Sequence, residues 1–381
     1  MRIGIYTQPL RYNYGGLLQA WALQTVLRRM GHDVVTFDPC PYLTLSHSKK
    51  PFAYVKRTIK KILGQNVTIK REEIINKEYN LKIQNLKPFI DANIRRMEYA
   101  KVTDIKEGDF DVLVAGSDQV WRPKYNRSYG RTIENAFFDF AHQWKNVKRV
   151  AYAASFGTDE WEFTNEQTIR CAELAKQFSA ISIREQSGVT LCKERLGVSA
   201  TQVLDPTLLL DKKDYETLID ECEFTHSPSG NLLCYILDET EQTTKIIDYI
   251  SKEKGLIPFR ANSRVTDKNA NILEKIQPPI EQWLRNFKES EFVITDSFHA
   301  CVFSIIFEKP FVVVGNEKRG LSRYESLLAM LSMNNHLIRS VEDFVSTCPY
   351  SIDKERYQRI NDLKGFSLKY LVDSLNTNNC L

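Results

Sequence analysis

The sequence predicts an α/β protein of two Rossmann-like domains. Three observations carry that expectation: a β–α–β unit opens the chain, strand-like runs alternate with helical patterns early and late, and a polar stretch containing Pro and Gly divides them. At roughly 100–200 residues per domain, a chain of 381 residues suits two cores better than one.

Arg2 to Tyr6 reads as a short apolar strand. Asn13-Tyr14-Gly15-Gly16 makes a loop, and LLQAWALQTVLRRM carries a helical pattern that stops at Gly31. Asp33 to Phe37 is the next strand, which implies a parallel sheet with right-handed crossovers. Further runs at 112–115, 150–154, 180–183 and 202–204 complete a first domain set at residues 1–222. Glu223 to Asn231 reads as a linker. The second domain, 229–350, holds runs at 232–237, 292–295 and 311–314, with a helix from about His299 to Phe307. Residues 351–381 close the chain with an amphipathic helix over Asp353 to Leu375, expected to pack across both domains. Tyr357, Ile360, Leu363, Leu371 and Leu375 share one of its faces, and Gly365 marks a point where it would bend.

Hydrophobic residues make up 43% and charged residues 26%, the balance of a folded soluble chain. The first residues lack an apolar leader core, and no apolar run reaches the ~18–20 residues of a membrane span, so the expected location is cytoplasmic. Eight cysteines are scattered with no CxxC and no zinc spacing, which predicts buried thiols and no metal site. A net charge of +4 is too small for a nucleic-acid binder of this length. Between Lys49 and Arg71 stand eight basic residues and no acidic one, interleaved with Phe52, Val55, Ile59, Ile62 and Leu63 at helical spacing. Two readings stand for residues 49–71: an insertion helix with a solvated Lys/Arg face, or peripheral contact with an anionic membrane surface.

Strand ends that lead into loops and helix N-termini present backbone N–H groups to anions. Five motifs sit at such places: Asn13-Tyr14-Gly15-Gly16, Gly116-Ser117-Asp118-Gln119-Val120-Trp121, Ser155-Phe156-Gly157, Ser182-Ile183-Arg184-Glu185 and Thr295-Asp296-Ser297-Phe298-His299-Ala300. Each has a bland reading beside the chemical one. A Gly-Gly pair is a tight turn or a phosphate cradle. Arg184 is a structural ion pair or a fork for carboxylate or phosphate. His299 is a hydrogen-bonded core residue or an acid–base group, and Asp118 is a helix cap or a base. Asn13, Gly15, Gly16, Gln19, Asp118, Gln119 and Trp121 offer amides, a carboxylate and an aromatic face to a sugar acceptor, with Gln19 and Trp121 equally readable as helix and core residues.

In order along the chain, NYGGLLQAWALQ, AGSDQVW, AASFG, SIRE, LDPTLLL, TDSFHACVFSIIFEKPFVVVG and NEKRGLSRYESLL resemble polysaccharide pyruvyl transferases, from near the first residue to about residue 330. The closing SLKYLVDSL is similar to that family's terminal helix. The resemblance implies a GT-B-like architecture, two Rossmann-type domains facing across a cleft, with the acceptor on the first domain and the donor on the second. It also implies transfer of a pyruvyl group from phosphoenolpyruvate to a sugar of a cell-surface polysaccharide or its lipid-linked precursor, with no cofactor and no metal.

By the same resemblance Arg184 and His299 match the family's donor arginine and its histidine acid or donor ligand, and Asp118 is the candidate base. Many members carry an arginine two residues before the histidine, where this chain has Ser297, so donor charge is expected instead from Lys318, Arg319 and Arg323. The alternative functions are a nucleotide-sugar glycosyltransferase of the same architecture and a non-catalytic carbohydrate-binding protein of a polysaccharide assembly complex.

Overall fold

The computed structural model describes every residue except 44, 46, 47, 49, 66, 127–129, 224, 266, 268, 317–319 and 377–381. Seven strands form the first sheet: β1 (Arg2–Tyr6), β2 (Asp33–Pro39), β3 (Arg96–Tyr99), β4 (Val112–Ala115), β5 (Lys148–Ala154), β6 (Ala180–Ile183) and β7 (Thr201–Gln202). Their order is β3-β2-β1-β4-β5-β6-β7, and every pairing is parallel. All four residues of β4 and the last four of β1 are buried, the near-continuous apolar run that a sheet covered on both faces requires. The strand order reverses between β1 and β4, so the loops after these two strands flank the crevice where such sheets bind ligands.

The second sheet has the order β12-β11-β10-β8-β9, again all parallel, from β8 (Leu232–Tyr235), β9 (Pro258–Arg260), β10 (Phe292–Thr295), β11 (Phe311–Val314) and β12 (Leu337–Ile338). The segment Glu223–Asn231 lies between the two sheets in the chain. Both sheets are therefore doubly wound α/β units. Strands β3, β9 and β12 are absent from the sequence expectation; each is an edge or near-edge strand of four residues or fewer, too short to show alternation.

Two helices are buried nearly all round. In α1 (Tyr14–Arg29) every residue from Tyr14 to Gln24 is buried, and in α10 (Phe298–Ile306) every residue is. A helix apolar on all sides belongs inside a core. Here that core is one apolar cluster running from Ile3 and Leu23 of the first unit to Trp283 and Phe303 of the second. Tyr14 stacks on Trp283 of α9 (Ile280–Glu289) with ring centroids 5.2 Å apart, and its hydroxyl donates to Pro278 O at 2.8 Å. Cys171, Cys192, Cys234 and Cys301 are buried thiols, and burial pushes all four pKa values up, that of Cys234 to about 12.

The terminal helix α12 (Lys354–Asn376) runs through Gly365 without interruption. A lone glycine costs a helix only about 1 kcal/mol, which neighbouring contacts absorb here. Arg356 donates to Ser332 O at 3.2 Å near one end, while Ser367 Oγ accepts from Leu204 N at 3.0 Å and Lys148 Nζ donates to Leu375 O at 2.5 Å toward the other. Leu371 and Leu375 are buried, whereas Tyr357, near the start of the helix, is 50% exposed.

Candidate active site

The loop after β4 turns sharply at Asp118, whose φ of 65° puts a non-glycine residue in the left-handed region. Aspartate tolerates that conformation better than most residues, and strain of this kind concentrates at functional sites. Arg184 is the first residue past β6. Its Nη1 donates to Asp205 Oδ2 at 2.7 Å, its Nη2 reaches Asp118 Oδ1 at 3.4 Å, and its Nε lies 3.8 Å from Glu185 Oε2. Asp205 is held in turn by Ser117 Oγ at 3.0 Å and by the backbone and hydroxyl of Thr207 at 3.1 and 2.7 Å. Burial opposes the Arg184 charge, yet Asp205, Asp118 and Glu185 outweigh it and raise the guanidinium above its usual range. Removing one partner from a buried set of this kind typically costs roughly 3–5 kcal/mol.

From the second sheet, β10 delivers His299 in the first turn of α10. The imidazole Nε2 stands 3.8 Å from Asp205 Oδ2 and makes no hydrogen bond. Burial lowers the His299 pKa, while Asp205 and Asp118 pull it back up. Its Nδ1 side lies on Gly15, where a β-carbon would stand 2.0 Å from Nδ1. Arg323, near the start of α11 (Ser322–Met330), points its guanidinium over the Phe298 ring at 5.6 Å from the centroid, and Arg184 approaches the same ring at 4.4 Å. Cation–π attraction and the three carboxylates let two guanidiniums share this space.

Glu185 Oε1 accepts from Phe156 N at 2.8 Å and Gly157 N at 3.3 Å, and burial raises the pKa of its carboxyl. Gly157 (φ +75°) meets Gly320 (φ +84°), where a β-carbon would stand 2.1 Å from Gly157 O, so the loop after β11 closes onto the loop after β5. Buried polar atoms are nearly always bonded. Arg184 Nε, Glu185 Oε2 and His299 Nε2 are buried here without a hydrogen bond, the first two facing each other at 3.8 Å.

The structure thus brings together Asp118, Arg184, His299, Arg323 and Gly15. Ser297 is half-buried at the N-terminus of α10, its N–H donating to Thr295 Oγ1 at 2.9 Å, and the guanidiniums of Arg184 and Arg323 both lie over the ring of the next residue, Phe298. Lys318 and Arg319 lie outside the described residues. Asn13 is exposed just before α1, and a β-carbon at Gly16 would find its nearest neighbour in Asn13 Cγ at 3.5 Å. Gln119 is half-buried, its Oε1 accepting from Arg122 Nη1 at 2.9 Å beside Gly157.

Two residues take the core reading of the two that the sequence left open, and neither offers itself to a sugar. Trp121 has no exposed surface; it stacks on Phe137 at 4.5 Å and donates its indole N–H to Ala136 O at 3.2 Å, so neither ring face is open to a sugar. Gln19 is likewise fully buried, its amide donating to Thr7 Oγ1 and Gly16 O at 2.9 Å each, and it braces the loop after β1. Asp205, Glu185 and Phe298 belong to the cluster but were not singled out from the sequence. The available signal was position, since all three fall at or just past strand ends.

Two doubly wound parallel sheets that deliver their strand ends to one shared, buried polar cluster define a GT-B-like protein of two Rossmann-type domains. The chain belongs to the polysaccharide pyruvyl transferase family, whose sequence profile matches residues 13–318 and so takes in Gly15, Asp118, Arg184, Asp205 and His299. No curated protein matches the chain. Among solved structures, UDP-GlcNAc 2-epimerase from Neisseria meningitidis, bound to UDP-GlcNAc, is 12% identical over 99% of this chain and 100% of its own, with a TM-score of 0.49. A UDP-glucosyltransferase from Polygonum tinctorium is 10% identical over 99% of each chain, with a TM-score of 0.44. No helix among the described residues is long and apolar enough to cross a membrane.

Proposed function

We propose that the chain moves a pyruvyl group from phosphoenolpyruvate onto two hydroxyls of one sugar, in the cytoplasmic assembly of a surface polysaccharide or its lipid-linked precursor. The observation that carries this reading is the meeting of Arg184, Asp205 and Asp118 from the first unit with His299 and Arg323 from the second. An acid, a base and two guanidiniums are what an anionic enol phosphate and a neutral hydroxyl require together.

In this reading His299 Nε2 gives a proton to C3 of the donor, and Arg184 and Arg323 hold its carboxylate and phosphate. One sugar hydroxyl bonds to C2 as Asp118 takes its proton, the C2–O bond to phosphate breaks, and inorganic phosphate leaves. The second hydroxyl then adds to C2 and gives its proton to His299, which closes the ketal and restores the imidazolium, while the proton held by Asp118 leaves with phosphate. C2 of the pyruvyl group stays at the same oxidation level, so the balance needs no redox cofactor. Because Arg184 and His299 come from different units, the donor is bound between them rather than on the second domain alone. Arg184, Asp205 and His299 are nearly fully buried, so substrate access requires the segments around them to move.

The test is incubation with phosphoenolpyruvate and galactose-, mannose- or N-acetylmannosamine-containing acceptors, followed by phosphate release and acceptor mass. Turnover that His299→Ala abolishes supports the reading. No turnover with any acceptor, together with thermal stabilisation by a nucleoside diphosphate and not by phosphoenolpyruvate, rejects it in favour of glycosyl transfer.

A further inference from the structure

Helix α2 (Lys50–Ile62) is attached to the protein by the wrong face for an ordinary surface helix. An amphipathic helix on a globular protein turns its apolar stripe inward and its charges outward. In α2 no residue is buried. Its link to the rest of the chain is polar: both Nη atoms of Arg57 donate to the Glu72 carboxylate at 2.6 Å, Arg57 also donates to Ile69 O at 3.0 Å, and the Tyr54 hydroxyl donates to Glu73 Oε1 at 3.1 Å. Glu72 and Glu73 open α3 (Arg71–Ile83), so α3 holds α2 by its charged side.

The apolar stripe consequently faces away. Phe52, Val55, Ile59, Ile62 and the following Leu63 are 75%, 58%, 52%, 78% and 72% exposed. Lys56, Lys60 and Lys61 are exposed beside or behind it and make no ion pair among the described residues. The lysines are solvated, as the sequence reading of an insertion helix expects, and the apolar stripe is solvated with them.

We propose that α2 docks on an anionic lipid bilayer, its stripe entering the interfacial region and Lys56, Lys60 and Lys61 pairing with lipid phosphates. Charge selects this occupant. A second copy docking stripe to stripe would bring the same lysines together, with no acidic residue between Lys49 and Arg71 to offset them. A bilayer surface supplies apolar depth and negative charge at once, the two signals that stable peripheral attachment requires. The placement is also consistent: α2 follows the C-terminal end of β2, the end of the sheet that carries the loops around His299. This inference does not depend on the pyruvyl reading, and a lipid-linked acceptor would only give it a use.

Co-sedimentation of the full chain with vesicles of phosphatidylcholine alone, or mixed with phosphatidylglycerol, tests it. The parent is expected to bind the anionic vesicles, to prefer them to neutral ones, and to be released by salt. Phe52→Asp/Ile59→Asp and, separately, Lys56→Glu/Lys60→Glu/Lys61→Glu should each weaken binding by roughly tenfold or more. All five side chains are exposed, so both variants should keep the parent's circular dichroism and melting temperature. Equal binding by parent and variants overturns the proposal, as does a parent that ignores both kinds of vesicle. A parent that ignores vesicles but is dimeric by light scattering, and becomes monomeric in Phe52→Asp/Ile59→Asp, assigns the stripe to a second copy instead.

Discussion

Gly15 and His299 lie in contact across the two domains, so close that a β-carbon at Gly15 would stand 2.0 Å from Nδ1 and 2.2 Å from Cγ of the imidazole. The glycine is needed for the space its missing side chain leaves to the histidine. Gly16, its neighbour, has no such neighbour of its own, the nearest atom being Asn13 Cγ at 3.5 Å.

Gly15→Ala should therefore displace His299 and reduce pyruvyl transfer by roughly a hundredfold, the scale of misplacing a catalytic group by about 1 Å. Gly16→Ala should leave activity within a few-fold and stabilise the helix by about 0.4–1 kcal/mol. Phosphate-release kinetics and urea unfolding on the two variants separate these outcomes. Equal losses from both would show that the loop, rather than the histidine contact, is what matters.

Trp121 separates a sugar platform from a core residue. Fully buried and stacked on Phe137, it should respond to Trp121→Phe with a stability loss of about 2 kcal/mol, from the unfilled volume and the unpaired Ala136 carbonyl. The acceptor KM should not change. A raised KM at unchanged unfolding midpoint would restore the platform role.

His336 carries a pH dependence away from the cluster. It has no exposed surface and lies between Phe311 and Tyr350, with ring centroids at 4.4 and 5.5 Å. Burial, with help from the Arg356 charge, pushes its pKa down from 6.5 to about 4. The unfolded chain then binds the extra proton between those two values, so the contribution is fully present above about pH 6.5 and is lost as pH falls toward about 4, up to about 3 kcal/mol. Denaturant unfolding at about pH 7 and about pH 5 should show a smaller loss in His336→Leu than in the parent.

The division of the chain into two parallel α/β units was readable because buried strands such as Val112–Ala115 and Phe311–Val314 are unbroken apolar runs between helical patterns. Arg96–Tyr99, Pro258–Arg260 and Leu337–Ile338 were not, since short edge strands owe their state to the neighbour they pair with. At the site, Arg184 and His299 stood out by residue type at strand ends. Asp205 did not, because an aspartate before proline reads as a cap, and it does accept from Thr207 N as a cap would. Its second role, toward Arg184 and His299, exists only once three distant segments meet. The stripe of α2 was visible as periodicity, but which face meets the protein depends on Glu72 and Glu73.

Asp205 gives the sharpest test of how the cluster works. Its Oδ2 lies 3.8 Å from His299 Nε2, and its charge raises the His299 pKa against the larger lowering by burial. If His299 acts as the acid, kcat/KM falls as pH rises through the pKa of the free enzyme. Asp205→Asn keeps an oxygen for Thr207 but puts an amide NH2 where Oδ2 accepts from Ser117 and Arg184, and it removes the charge, so the imidazolium loses support and this fall should move to lower pH. At neutral pH the variant should be slower, and lowering the pH should recover part of the rate. The His299 ring titration followed by NMR should shift in the same direction. A variant with a lower rate at every pH and an unmoved profile would show that Asp205 acts on Arg184 alone.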